Sequence, residues 1–302
     1  IHDSYIEAGV DIIQTNTFGA SRLRLSNYGF SDRVEEMNRE GVRIAREAAR
    51  CGRNVLVAGS VSPAVSARQR NRVHHSERSD ALREQITALA AGGVDIILLE
   101  TFGYLDELIE AIAIAAEVTD IPIIAQATFG NDAHTLSGHT AREVGIATAD
   151  LPIVALGTNC TLGPQRSLAV LHGLREYSGW PLTVQPNAGL PRRVAPTSFE
   201  YDVDSAYFAR YVHQLIEAGA VLVGGCCGTT PTQIAAAVEA ANEHRRGLTR
   251  EATTSTDVAE VKVVALHGPQ PTQRPFADVM SSLVVALTPP PPDGIEQSVE
   301  LA

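Results

Sequence analysis

The chain has 302 residues, 44% of them apolar, and its 35 acidic against 24 basic side chains give a net charge of -11 with histidine neutral. That length suits one large α/β domain with a sizeable core, and an acidity spread along the chain without a basic stripe argues against a nucleic-acid partner. No apolar run approaches the ~20 residues of a membrane span, and four cysteines in so long a chain make no disulfide scaffold, so a cytoplasmic protein is expected.

The sequence opens inside a predicted helix, residues 1–8, on Ile1 rather than Met, so a preceding segment is expected to be missing. Seven short apolar runs follow: 10–17, 55–60, 94–101, 121–128, 153–159, 182–186 and 220–224. Most are rich in Val and Ile and lack polar alternation, as parallel strands covered on both faces do. Helical patterns lie between them. Leu105, Leu108, Ile109 and Ile112 share one helical face, as do Phe208, Val212, Leu215 and Ile216. Gly9, Gly93 and Gly219 each separate a helix from the next strand, where a left-handed cap is expected. Gly9-Val10-Asp11-Ile12-Ile13 recurs as Gly93-Val94-Asp95-Ile96-Ile97, and Thr17-Phe18 as Thr101-Phe102.

Repeated βα units give a doubly wound sheet or an eightfold barrel, and the number and even spacing favour the (β/α)8 TIM barrel. With seven strands, the barrel is expected to lack its first strand in this sequence, leaving two unpaired edges. Residues 1–246 are assigned to the barrel and 247–281, polar and Pro-containing, to a linker. The strand-like run from Ser282, followed by 289–292, reads as the start of a second domain.

Polar side chains gather where the strands end: Asn16, Ser60, Ser62, Glu100, Thr128, Asn159, Cys160, Asn187, Cys226 and Cys227. Barrel chemistry occurs on that face. Cys226 and Cys227 are adjacent in Gly224-Gly225-Cys226-Cys227-Gly228-Thr229-Thr230-Pro231, and Cys160 ends another strand. Three thiolates converging on one metal with an open fourth position make a zinc site that activates a ligand. The same pair also reads as a vicinal disulfide or two packed thiols in a non-catalytic metal-binding or redox module. Glu100, after four apolar residues at a strand end, reads as functional, with an ion-pair role as the alternative. Asn16 and Asn159 taken alone would satisfy loop backbones, and Asn187 divides evenly between the two roles. The amides that open the helix at Pro231 can hold a carboxylate or be capped by Thr230. Cys51 reads as an ordinary small residue, His134 and His139 as structural, and the basic cluster of residues 68–78, with His74 and His75, as a solvated loop or helix start.

Several stretches resemble the homocysteine S-methyltransferase family, which includes the homocysteine-binding domain of cobalamin-dependent methionine synthase. They are Glu7 through Ala20 (EAGVDIIQTNTFGA), Leu99-Glu100-Thr101-Phe102, Thr135-Leu136-Ser137-Gly138, Asn159-Cys160, Pro186-Asn187-Ala188-Gly189 and the double-cysteine motif. The resemblance implies a zinc-dependent barrel in which a zinc-bound homocysteine thiolate is methylated to methionine. Cys160, Cys226 and Cys227 match the zinc ligands. Glu100 matches the acid that holds the substrate ammonium, and Asn187 a residue that approaches the metal when substrate is absent. Asn16, Asn159, Gly228 and Thr229 join the substrate-binding set. The expected partners are L-homocysteine and a methyl donor: methylcobalamin, methyltetrahydrofolate or S-methylmethionine. Betaine users carry an aromatic residue where this chain has Thr101. The tail from Leu283 is similar to the opening strand of a methylenetetrahydrofolate reductase domain, which would bring FAD.

Overall fold

The computed structural model describes residues 1–50, 55–195, 198–254 and 283–286. Seven parallel strands form a curled sheet: β1 (Ile12–Gln14), β2 (Leu56–Val61), β3 (Ile96–Phe102), β4 (Ile123–Ala127), β5 (Ala155–Asn159), β6 (Leu182–Gln185) and, after a hairpin of β7 (Arg192–Ala195) and β8 (Ser198–Glu200), β9 (Ala220–Gly225). All seven lie within or overlap the apolar runs read from the sequence. Helices α1 (His2–Glu7), α2 (Arg22–Leu25), α3 (Val34–Ala49), α4 (His75–Gly92), α5 (Leu105–Val118), α6 (Ala141–Ala147), α7 (Pro164–Tyr177), α8 (Ser205–Glu217) and α9 (Pro231–Thr254) connect and cover them.

The ring closes differently from the expectation. The strand β10 (Leu283–Ala286) lies between β1 and β9, parallel to both, and the order around the barrel is β1-β10-β9-β6-β5-β4-β3-β2. The edges expected to be unpaired are therefore paired, by residues assigned from the sequence to the opening of a second domain. An open parallel edge presents a row of unpaired backbone groups, and a short Val-rich run satisfies two such edges at once. Helix α9 also continues past the expected boundary at residue 246, to Thr254. The remaining linker and second-domain residues, 255–282 and 287–302, lie outside the described residues, as does Cys51.

Strand periodicity decides what faces the inside. Along β3, Ile97 and Leu99 pack outward into the main core with the helices, whereas Ile96 and Leu98 point inward. Inward residues from six strands meet in a buried plug: Ile12, Ala58, Ile96, Leu98, Ile124, Ala155 and Leu222. Each large apolar side chain there contributes about 2 kcal/mol by leaving water. One to two pleats further along, polar side chains gather: Ser60, Glu100, Gln126, Asn159, Gln185 and Cys226, all buried. The outer shell follows the predicted helical faces. Leu105, Leu108 and Ile112 of α5 and Phe208, Val212, Leu215 and Ile216 of α8 are buried. Gly9, Gly93 and Gly219 take φ of 100°, 86° and 102°, the left-handed conformation expected where helices give way to strands.

Candidate active site

The three cysteines come together at the C-terminal mouth of the barrel. Their sulfurs all lie within 4.8 Å of one another, with Cys160 Sγ 3.7 Å and Cys226 Sγ 4.0 Å from Cys227 Sγ. All three thiols are free and buried. Three sulfurs bound at ~2.3 Å to a tetrahedral zinc would sit about 3.8 Å apart, so this donor set fits zinc in both chemistry and spacing. The neighbouring thiols Cys160 and Cys227, together with burial, push the Cys226 thiol well above the usual range. For Cys160, contact with Cys226 works downward but is outweighed by Cys227 and burial.

The backbone holding these sulfurs is braced at several points. Asn187 Oδ1 accepts from the Cys227 N–H at 3.1 Å, and Pro186 O accepts from the Cys226 N–H at 2.8 Å. The Thr229 hydroxyl and N–H both donate to Cys226 O, and Tyr5 of α1 donates to Thr229 O. Thr229, expected at the substrate, thus commits both groups to the cysteine turn. At the start of α9, Gln233 Oε1 accepts from the Thr230 N–H at 2.7 Å and from its hydroxyl at 2.8 Å. Gly228 has φ 78°, and a Cβ there would lie 2.2 Å from the ring of Tyr201. That ring packs on the thiol cluster as its apolar cover. Burial, followed by the three thiols, raises the Tyr201 pKa.

Glu100 lies beside the thiols at an irregularity in β3. The register with β4 shifts between Leu99 and Phe102, and Thr101 adopts φ 62°. Such bulges re-aim side chains near active sites, and a β-branched residue in that region stores roughly 1–3 kcal/mol of strain. Asn159 holds it there. Its Oδ1 accepts from the Thr101 N–H at 2.7 Å, while its Nδ2 donates to Thr101 Oγ1 at 2.8 Å and to Glu100 Oε2 at 3.1 Å. The same Nδ2 lies 3.9 Å from Cys226 Sγ, so one amide joins the carboxylate to the thiols. Ser60 Oγ donates to Glu100 Oε1 at 2.5 Å. Burial raises the Glu100 pKa to about 7, against the opposing Ser60 hydrogen bond, with Cys227 adding to the rise. Cys160 and Thr161 also have positive φ, 61° and 58°, so strained positions end both β3 and β5.

The structure brings Cys160, Cys226, Cys227, Glu100, Asn159, Asn187, Gly228 and Thr229 to one mouth. Asn16 is exposed beyond β1 and does not join the hydrogen-bonded group around Glu100. The structure adds Ser60 and Tyr201 to the residues around the thiols and Glu100. Ser60 carried a strand-end signal shared with several neighbours, whereas Tyr201 follows a hairpin that the apolar pattern does not reveal.

Residues 1–241 match the family model described as homocysteine S-methyltransferase. The chain belongs to the homocysteine S-methyltransferase family. Among its family relatives, it is 32% identical over 269 residues to a methionine synthase of Mycobacterium tuberculosis, covering 85% of this chain and 22% of that protein. It is likewise 32% identical over 256 residues to a methionine synthase of Mycobacterium leprae, covering 80% of this chain and 21% of that one. The chain therefore spans about a fifth of the length of these relatives. The homocysteine methyltransferase MmuM from Escherichia coli has a similar structure in its oxidised form, with TM-score 0.65, 27% identity and coverage of 79% of this chain and 82% of that one. Its metallated form gives TM-score 0.64 at 27% identity, covering 78% and 82%. Among the described residues of this family member, no helix is long and apolar enough to cross a membrane.

Proposed function

We propose that the chain transfers a methyl group to the thiol of L-homocysteine, giving methionine, with zinc held by Cys160, Cys226 and Cys227. The observation that carries this reading is the spacing of the three buried sulfurs, set beside a buried carboxylate at the mouth of a barrel of this family. When bound, zinc supplies the Lewis acidity that lets a thiol ionise near neutral pH.

The protein's own groups do the rest. Glu100, oriented by Ser60 and Asn159, pairs with the substrate ammonium. Proximity of that cation favours the ionised carboxylate and offsets the burial that disfavours it. Asn187 and Thr229 hold the cysteine turn rigid, and the Tyr201 ring excludes water from the sulfurs. In the transfer itself, homocysteine sulfur forms a bond to the methyl carbon as the carbon–donor bond breaks. The electron pair of that bond leaves with the donor, and the thiol proton is released to solvent. Free thiols suit a reducing compartment, the cytoplasm.

X-ray absorption of the zinc-loaded protein tests this reading. Adding homocysteine is expected to replace a nitrogen or oxygen neighbour of zinc by a fourth sulfur. An unchanged metal shell overturns the reading and favours a closed structural or redox module.

A further inference from the structure

The turn that carries the two adjacent thiols is held on both flanks. On the side of β6, Pro186 O and Asn187 Oδ1 accept from the Cys226 and Cys227 amides, and the Ala188 N–H donates to Cys227 O at 2.9 Å. On the other side β9 pairs with β10, and the turn past the strand end is held from α1. Tyr5, 4% exposed, donates its hydroxyl to Thr229 O at 2.9 Å, from 224 residues away in the chain. Thr229 is buried, and its hydroxyl and N–H both donate to Cys226 O, at 2.7 and 3.2 Å. Its side chain lies over Gly225, where a Cβ would come within 2.5 Å of Thr229 Oγ1. One hydrogen-bonded path thus runs from the Tyr5 hydroxyl through Thr229 to the backbone of a thiol-bearing residue.

Helix α1 is itself anchored. His2, three residues before Tyr5 and on the same helical face, is buried and donates from Nε2 to Gln14 O at 2.9 Å, at the end of β1. A single turn of helix therefore ties β1 to the turn after β9, two elements that β10 separates around the ring. Without the Tyr5 hydroxyl, the buried Thr229 carbonyl loses its partner, which is costly, and the turn is free to shift. Two neighbouring cysteines that meet one zinc at ~2.3 Å each tolerate a displacement of only about 0.2 Å.

We infer that Tyr5 is a positioning residue for the metal site. Its hydroxyl fixes, through Thr229, where Cys226 and Cys227 present their sulfurs, and α1 and bound zinc stabilise one another. The inference rests on the zinc site proposed above and deepens it, by adding a residue that acts from outside the thiol cluster.

The test uses the full chain. Zinc affinity is measured by chelator competition for the parent, Tyr5→Phe, Thr229→Val and the double variant. Tyr5→Phe deletes one hydroxyl and is expected to raise the zinc Kd about tenfold, the lower end of what partners orienting metal ligands contribute. It is also expected to broaden the zinc–sulfur shell in X-ray absorption. Leu98→Ala, expected to cost more stability, keeps the parent's zinc Kd, so weakened folding alone does not produce the change. Because Tyr5 acts through Thr229, the double variant is expected to lose less than the product of the two single losses. In the parent protein, zinc loading is expected to slow amide hydrogen exchange in residues 2–8, since coupling is reciprocal; this measurement needs no variant. A Tyr5→Phe zinc Kd within twofold of the parent overturns the inference, as does a strictly multiplicative double variant or exchange in α1 that zinc leaves unchanged. A parent protein that binds no zinc overturns the inference together with the methyl-transfer reading. A parent that binds zinc but shows no change at the metal with homocysteine overturns that reading alone.

Discussion

The two ends of the barrel interior are built by the same strands and differ in what each pleat carries. At the lower end, Ile12, Ile96, Leu98, Ile124 and Leu222 interlock in a dry plug. At the upper end, the same strands present Glu100, Asn159 and Cys226, ringed by positive-φ residues and buried polar atoms. One end contributes stability by excluding water. The other stores strain and unfavourable charge burial, which only a rigid scaffold can hold in place.

The sharpest way to break this comparison is to remove a thiol. Cys226→Ala is expected to abolish methionine formation and lower zinc from about one per chain to near zero, read by metal analysis alongside turnover. Unfolding of the metal-free protein should change little, since the plug is untouched. Leu98→Ala is the converse: a loss of about 2–5 kcal/mol in urea unfolding, with zinc content unchanged in the folded fraction. A plug variant that loses zinc while still folded would show that the two ends are not separable.

Glu100→Gln probes both kinds of effect. Losing the proposed charged contact to the substrate ammonium is expected to raise the homocysteine KM by roughly 10- to 100-fold. Its effect on stability runs the other way. The folded pKa of about 7 lies above the ordinary 4.5, so between these pH values the folded state binds more protons than the unfolded state. Stability of the metal-free protein therefore falls as pH rises from 4.5 to 7, by up to about 3 kcal/mol. Denaturation across that range should show the slope in the parent and its loss in Glu100→Gln. The smallest effect is expected for Thr101→Gly, which relieves a positive φ and should shift stability by no more than about 1 kcal/mol. It should still raise the homocysteine KM severalfold by loosening Glu100. Calorimetry together with steady-state kinetics separates the two.

Much of this contrast was legible in the chain. Short, mostly apolar runs that turn polar at their ends place Glu100, Asn159 and Cys160 at strand ends, because strands buried on both faces carry most of their polar groups near their termini. The adjacent Cys226 and Cys227 mark a thiol site without a structure. Ser60, by contrast, looked like any strand-end serine until its hydroxyl was found on Glu100. Asn159 looked like a loop residue until its amide was seen to join the carboxylate to a thiol.

The repeated strand–helix pattern and the placing of three cysteines at strand ends were set by the sequence itself, since both follow from local periodicity and residue type. The tertiary structure decided how the ring closes, with Leu283–Ala286 entering between β1 and β9. It also decided that Tyr201 covers the sulfurs and that Arg78 is buried. These outcomes depend on contacts between residues far apart in the chain, where burial and pairing of unsatisfied groups outweigh any local preference.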